Sequence, residues 1–210
     1  MTSIAINVLL DPDPATVKKA QAANARLRDD YPYGFALDAE HAPHVTILQQ
    51  FVRTEDLDEV ASTVVEVVRP EQSMEWESRA IGYYDIGYQN LGLVGIVIEP
   101  TQHLRRLQKR IVTAVARFAA EKGTGEAFAP RPDGGAISQP TVDYVNNFLE
   151  LRTGMNYHPH LTVGIGTRDF VDALKKEPFE VFTFRAVSVS LYQVGDFGVA
   201  QRKLYDLHHC

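Results

Sequence analysis

Ile4, Ile6, Val8 and Leu10 alternate along the first segment, and Asp11-Pro12-Asp13-Pro14 ends the run, so the chain is predicted to open on a strand with Asn7 as its polar interruption. The period then becomes helical, with Val17, Ala20, Asn24 and Leu27 on one face. The same order returns at mid-chain. Leu91 to Ile98 is an apolar run rich in Val and Ile, and Pro100-Thr101 opens a helix carrying Leu104, Leu107, Ile111, Val115 and Phe118 on one side.

A sharper repeat follows each unit. Pro43-His44-Val45-Thr46-Ile47 and Pro159-His160-Leu161-Thr162-Val163 agree position by position in residue class, and each predicts the start of a strand. Thr54, with Glu55 and Asp56 behind it, predicts an N-capped helix to about Val68, and Thr167 with Asp169 predicts a shorter one to about Lys176. Further strands are expected near 73–84, 179–193 and 203–207. Strand, helix, His-Thr strand, helix, strand thus occurs in both halves, about 1–88 and 89–210, which reads as one domain of two lobes.

The second half carries extra chain from Lys122 to about Asn156. Gly123, Gly125, Pro130, Pro132, Gly134, Gly135 and Pro140 mark most of it as loop, and Tyr144 to Leu151 suits a short strand or helix. A loop of that length in one domain is commonly functional, and a lid over a cleft is expected.

Composition narrows the class. With 45% hydrophobic and 23% charged residues, the chain has the balance of a folded globular protein. Its single cysteine, Cys210, permits no intrachain disulfide and gives no sign of an oxidising compartment. No basic residue precedes the first apolar run, which therefore reads as a strand and not a signal peptide, and no run approaches the roughly 20 apolar residues of a membrane span. A cytoplasmic protein with no membrane association is expected. The net charge of -6 argues against a grip on long nucleic acid, which depends on many Lys and Arg contacts to phosphates, and favours a small substrate or the end of a strand.

Candidate chemistry lies in the repeat. Strand alternation turns His44 and Thr46 to one face with Val45 and Ile47 on the other, and does the same for His160 and Thr162 against Leu161, Val163 and Ile165. Two such strands side by side would present two imidazoles and two hydroxyls to one cleft. Imidazole, with an unperturbed pKa of about 6.5, is available in either protonation state near neutral pH. In hydrolysis of a 2',3'-cyclic phosphate, one imidazole would activate water while the other, protonated, hands its proton to the departing ribose oxygen. The Thr46 and Thr162 hydroxyls would donate to the non-bridging oxygens, and the scheme needs neither metal nor cofactor. Gln50 and His158 share the predicted faces of His44 and His160 and are secondary candidates for substrate contact. Gly164 and Gly166 fall there too, leaving room for a ligand or a bend. Tyr31, Tyr33, Tyr83 and Tyr84 offer faces on which a base could stack, or are core. A rival reading gathers His41, His44, His158 and His160 around zinc, but it leaves both threonines without a role. His103, beside Arg105 and Arg106, reads as surface, and His208 and His209 as a frayed end.

The pair His44-Val45-Thr46, followed by Ile47-Leu48, and His160-Leu161-Thr162, followed by Val163, resembles the signature of the 2H phosphoesterase superfamily, which includes bacterial 2'-5' RNA ligase-like proteins and cyclic phosphodiesterases. The resemblance covers nearly the whole chain. It implies a bilobal α+β fold with a pseudo-twofold duplicated unit, antiparallel sheets lining a central cleft, helices outside, and catalysis by both histidines without a cofactor. The implied substrate is a small cyclic nucleotide or an RNA 3' end. Ligation forming a 2'-5' bond with the same histidines, and a cleft that holds a nucleotide without turnover, are the alternatives. The stretch from 122 to 156 departs from shorter members of that superfamily.

Overall fold

The first strand forms as its alternation predicts. In the computed structural model, which describes residues 2–39, 41–71 and 76–209, β1 (Ser3–Pro12) runs into α1 (Pro14–Asp30). Asp13 caps this helix by accepting from the Thr16 amide at 2.8 Å, and Pro14 occupies its first turn, where its missing N–H costs nothing. β2 (Val45–Arg53), α2 (Leu57–Val68), β3 (Glu77–Tyr88) and β4 (Leu91–Ile98) follow. Next comes α3 (Gln102–Val115), capped by the Thr101 hydroxyl on the Leu104 amide. The second His-Thr strand is β5 (His160–Thr167), preceded by the short helices α4 (Gln139–Asn146) and α5 (Phe148–Leu151). α6 (Arg168–Leu174), β6 (Phe182–Val194) and β7 (Ala200–His209) complete the chain.

Several boundaries differ from expectation. Thr54 caps nothing: its hydroxyl donates to the Thr2 carbonyl, a 3-10 turn covers Thr54–Asp56, and the helix begins only at Leu57. Thr167 does cap α6, accepting from the Phe170 amide. β3 begins at Glu77, and the expected start at Ser73 lies outside the described residues, as does Cys210. At the other end, Ser188 and Val189 pair with His209 and His208, so both histidines extend β7 where a frayed end was expected.

All strand pairings are antiparallel and join one seven-stranded sheet in the order β1-β2-β5-β4-β3-β6-β7, with β1 also paired to β6. β6 changes partner along its length: Phe182 to Arg185 lie against β3, and Ala186 to Gln193 against β1. The sheet is therefore two sheets sharing a strand. One contains β2, β1, β6 and β7, and the other β5, β4, β3 and β6. β3, which closes the first half in sequence, pairs within the sheet of the second half, and β6 returns to the first.

Helices cover the outside of both sheets, and β1 and β2 are buried on both faces along most of their length. Ile4, Ile6, Val8 and Leu10 share one apolar core with Val45, Ile47 and Leu48 of β2 and Leu161 and Val163 of β5. α1 lies on β5 through Ala20 and Leu27, and α3 lies on β2 through Leu104, Leu107 and Ile111. Each helix thus packs on the motif strand of the other half. A second small core of Ala127, Phe128, Val142 and Val145 against Ala5, Phe51 and Val194 roots the 122–156 segment on the opposite face. Among the described residues no helix is long and apolar enough to cross a membrane.

Candidate active site

β2 and β5 touch through a single pair, Val45 with Leu161, and these are equivalent residues of the two motifs. An antiparallel pairing of equivalent positions places the pseudo-twofold axis at that pair. The register sets His44 across from Thr162 and Thr46 across from His160. All four side chains line one cleft of about 750 Å³, within the range of small-ligand pockets.

Each motif strand then carries a bulge in the same place. Val8 faces Leu48 and Leu9 faces Thr46, leaving Ile47 extra; Val94 faces Gly164 and Gly95 faces Thr162, leaving Val163 extra. The added residue reverses the alternation beyond the threonine. Gln49 and Ile165 consequently line the cleft. Gln50, expected there, is buried on the helix side and donates to the Val115 carbonyl at 3.3 Å. Gly164 and Gly166, also expected at the cleft, face α1 instead. Gly164 sits at φ +142°, and a Cβ on it would lie 2.8 Å from the Asn24 amide nitrogen.

Two buried amides hold those bulges, one per half. Asn24 of α1 donates to the bulge carbonyl of Val163 at 2.8 Å and to Phe35, and accepts from the Leu37 amide at 3.0 Å. Gln108 of α3 donates to the bulge carbonyl of Ile47 at 3.2 Å and to Arg152, and accepts from the Gly154 amide. Each amide therefore ties the bulge of one motif to the loop that leads into the other.

The imidazoles are set alike. His44 Nδ1 lies 2.8 Å from the Ala42 carbonyl and His160 Nδ1 lies 2.8 Å from the His158 carbonyl. A carbonyl only accepts, so both Nδ1 atoms carry a proton, and in the neutral ring the lone pair is on Nε2. Burial lowers the pKa of His44, with the Ala42 carbonyl and the charge of Asp11 opposing. For His160, burial pushes the pKa down to about 4; the His158 carbonyl opposes, and the charges of His44, Arg152 and His158 add to the fall.

The two halves differ around these rings. Asn7 of β1 donates its amide to His44 Nε2 at 3.1 Å and leaves its own Oδ1 buried without a partner. Asn7 faces Gln49, and in the second half Leu93 faces Ile165 at the same register. Beside His160 lies Tyr84, edge-on at 4.9 Å, in the space that Gly95 leaves by having no Cβ. Burial raises the Tyr84 phenol. Its neighbour Tyr83 turns the other way and packs edge-on to Phe179 at 5.0 Å.

One wall of the cleft belongs to the 122–156 segment. Buried Asp196 accepts from the Ser138 amide and hydroxyl, the Thr141 hydroxyl and Arg131, and these bonds hold its carboxyl below the usual range despite burial. The next residue, Phe197, is fixed at φ 59° by amide bonds to Thr141 and Asp196, and its ring is 46% exposed beside Phe35. That left-handed conformation is costly for a bulky residue. Phe35 also stacks on His41, which pairs with Asp38, and Tyr31 and Tyr33 stand at the same mouth. His158 is exposed and borders only a small recess beside His160. Exposed His103 tilts against Trp76. Among the described residues no three His, Cys, Asp or Glu side chains gather as metal ligands.

Paired His-Thr strands meeting at a pseudo-twofold in a bilobal α+β fold define a two-histidine protein of the 2H phosphoesterase class. The chain belongs to the 2'-5' RNA ligase superfamily, whose family model matches residues 12–196. Among solved structures it shares its fold with TT0787 of Thermus thermophilus, at a TM-score of 0.56 and 12% identity over 97% of each chain. Kluyveromyces marxianus Usb1 with uridine monophosphate aligns at a TM-score of 0.43 and 9% identity, over 95% of this chain and 96% of that one. E. coli LigT complexed with phosphate aligns at 0.39 and 10%, over 100% and 98%. No curated protein matches the chain.

Proposed function

We propose that this protein is a metal-independent phosphoesterase that opens a 2',3'-cyclic or related cyclic phosphate on a nucleotide or short RNA end. The observation that carries the reading is the pair of imidazoles, each fixed through Nδ1, that line one cleft together with Thr46 and Thr162, the Nε2 of His44 accepting from Asn7. In the reaction, a neutral imidazole takes a proton from water on Nε2 as the water oxygen bonds to phosphorus. The P–O bond to one ribose oxygen breaks, and the second imidazole, protonated, supplies that oxygen with its proton. The product is a phosphomonoester, and the enzyme ends with the two protonation states exchanged.

Burial favours the neutral form of both histidines, which leaves a base ready and requires the acid to be charged on binding. A phosphate's negative charge between the rings would raise both pKa values and meet that need. The two threonine hydroxyls donate to the non-bridging oxygens as charge builds. Phe197, held in a strained conformation with its ring toward the cleft, offers the base a stacking face together with Phe35. The 131–141 stretch, pinned to Asp196, forms the cover over the bound substrate.

The test is turnover of a panel of 2',3'-cyclic nucleotides and cyclic-ended RNA fragments in the presence of a chelator. Wild type should release a monophosphate, and His44→Ala and His160→Ala should each lower kcat by about 100- to 10,000-fold. Full turnover by either variant, or activity that returns only when metal is added back, would overturn the reading.

A further inference from the structure

Beside His160 a small recess of about 40 Å³ opens from the cleft, sharing Thr46 and His160 with it as well as Tyr84, Ile86 and Tyr144. Tyr84, Tyr144, Tyr157, His158 and Arg152 complete its polar lining, and no acidic residue reaches it. That is a notable omission in a chain of net charge -6. Several other arginines hold carboxylates: Arg26 with Glu177, Arg131 with Asp133 and Asp196, Arg168 with Asp85 and Asp172. Arg152 differs. Its guanidinium lies over the Tyr144 ring at 5.2 Å, and among the described residues no carboxylate or carbonyl accepts from it. Its Nε is buried without a partner, as is that of Arg168, whose terminal nitrogens, unlike those of Arg152, hold carboxylates.

An unmatched buried donor on a cation is costly unless an anion arrives to satisfy it. The recess is too small for a nucleoside and suits oxygens projecting from a group held in the main cleft. From this geometry we infer that Arg152 is a substrate-binding residue, donating to a non-bridging oxygen of the phosphate that sits between His44 and His160. The inference rests on the proposed function for the identity of that phosphate, and on the recess itself for the site. Guanidinium suits the task because its planar fork donates to two phosphate oxygens at once.

His160 is affected in turn. The groups that act on its charge are His44 just before β2, His158 on its own approach loop and Arg152, and all three disfavour the imidazolium. An anion bound to Arg152 would cancel part of that repulsion, so substrate would help to charge the acid it needs. Arg152 would then touch the phosphate and also set the proton affinity of the ring beside it.

Titration of the full chain with inorganic phosphate at neutral pH tests the site, by calorimetry for affinity and by NMR of the histidine ring protons for the His160 pKa. Arg152→Met should weaken phosphate by about 10-fold or more, and Arg152→Lys, which keeps the charge and loses the fork, should weaken it by less. In the free protein Arg152→Met should raise the His160 pKa, which a residue serving only to pack Tyr144 would not do. Phosphate binding unchanged in a folded Arg152→Met would overturn the inference. If the Met variant does not fold, Arg152→Gln is read by the same criteria. Arg152-dependent phosphate binding without turnover of any cyclic phosphate would sink the proposed function and keep this site; turnover with Arg152-independent binding would do the reverse.

Discussion

His160 shows at the scale of one side chain how placement turns an ordinary residue into a sensor of its surroundings. Its folded pKa of about 4 lies below the unperturbed 6.5, so between those values the unfolded chain binds more protons than the native one. Stability is then highest above pH 6.5 and is lost as pH falls toward 4. Urea unfolding at a series of pH values should show the midpoint dropping through that window. His160→Asn should flatten the drop, leaving the part due to His44, whose pKa is lowered in the same direction. An unchanged slope in His160→Asn would contradict the placement of this ring. The two histidines were legible in the sequence because they repeat with their threonines and flanking aliphatics. Asn7 was visible only as a polar break in an apolar run, and its bond to His44 Nε2 depends on β1 lying beside β2. Arg152 had no signal of its own, since an arginine in a loop is ordinarily solvated.

Elements were readable by period, and their ends less so. Each apolar run became the strand or helix its spacing predicts, because burial of one face selects the conformation that gathers that face. The bulges were not readable. A two-residue period continues until an extra residue is inserted, and only the partner strand's register reveals the insertion. That is why Gln50 and Gln49 exchanged sides, and Gly164 and Ile165 likewise. Asn24 lay on the predicted apolar face of α1, and its polarity there was an unread sign of the clamp it makes. Asn24→Ala or Gln108→Ala should strip partners from three backbone groups and cost about 2–4 kcal/mol of stability. Because each clamp links one bulge to the other motif's loop, either change should also lower kcat. Chemical denaturation and steady-state kinetics measure both effects. A clamp variant that is destabilised yet fully active would show that the bulges do not govern the placement of the histidines.

Across the whole molecule the decisive feature is exchange between halves. β3 and β6 cross into the opposite sheet, α1 and α3 pack on opposite motif strands, and the 122–156 segment settles on the cleft face through Asp196. The segment's Gly- and Pro-rich composition predicted a loop, and its anchorage comes from a carboxylate more than 50 residues further along the chain. Asp196→Ala leaves Arg131, Ser138 and Thr141 without their acceptor and should cost about 3 kcal/mol, as expected for breaking a buried charged network. It should raise KM for a cyclic nucleotide more than it lowers kcat, since the wall and Phe197 move while the histidines stay. A kinetic comparison with wild type decides this, and a loss confined to kcat would count against a covering role for the wall.

The amino-acid sequence by itself determined the alternating strands, the amphipathic helices and the duplicated His-Thr motif, because these follow from short-range period and residue chemistry. Tertiary structure decided which faces the residues beyond each threonine present, which amides clamp the bulges, and that Arg152 lines the recess with no carboxylate on it. Those outcomes depend on register and on contacts between residues far apart in the chain, and neither is encoded in local spacing.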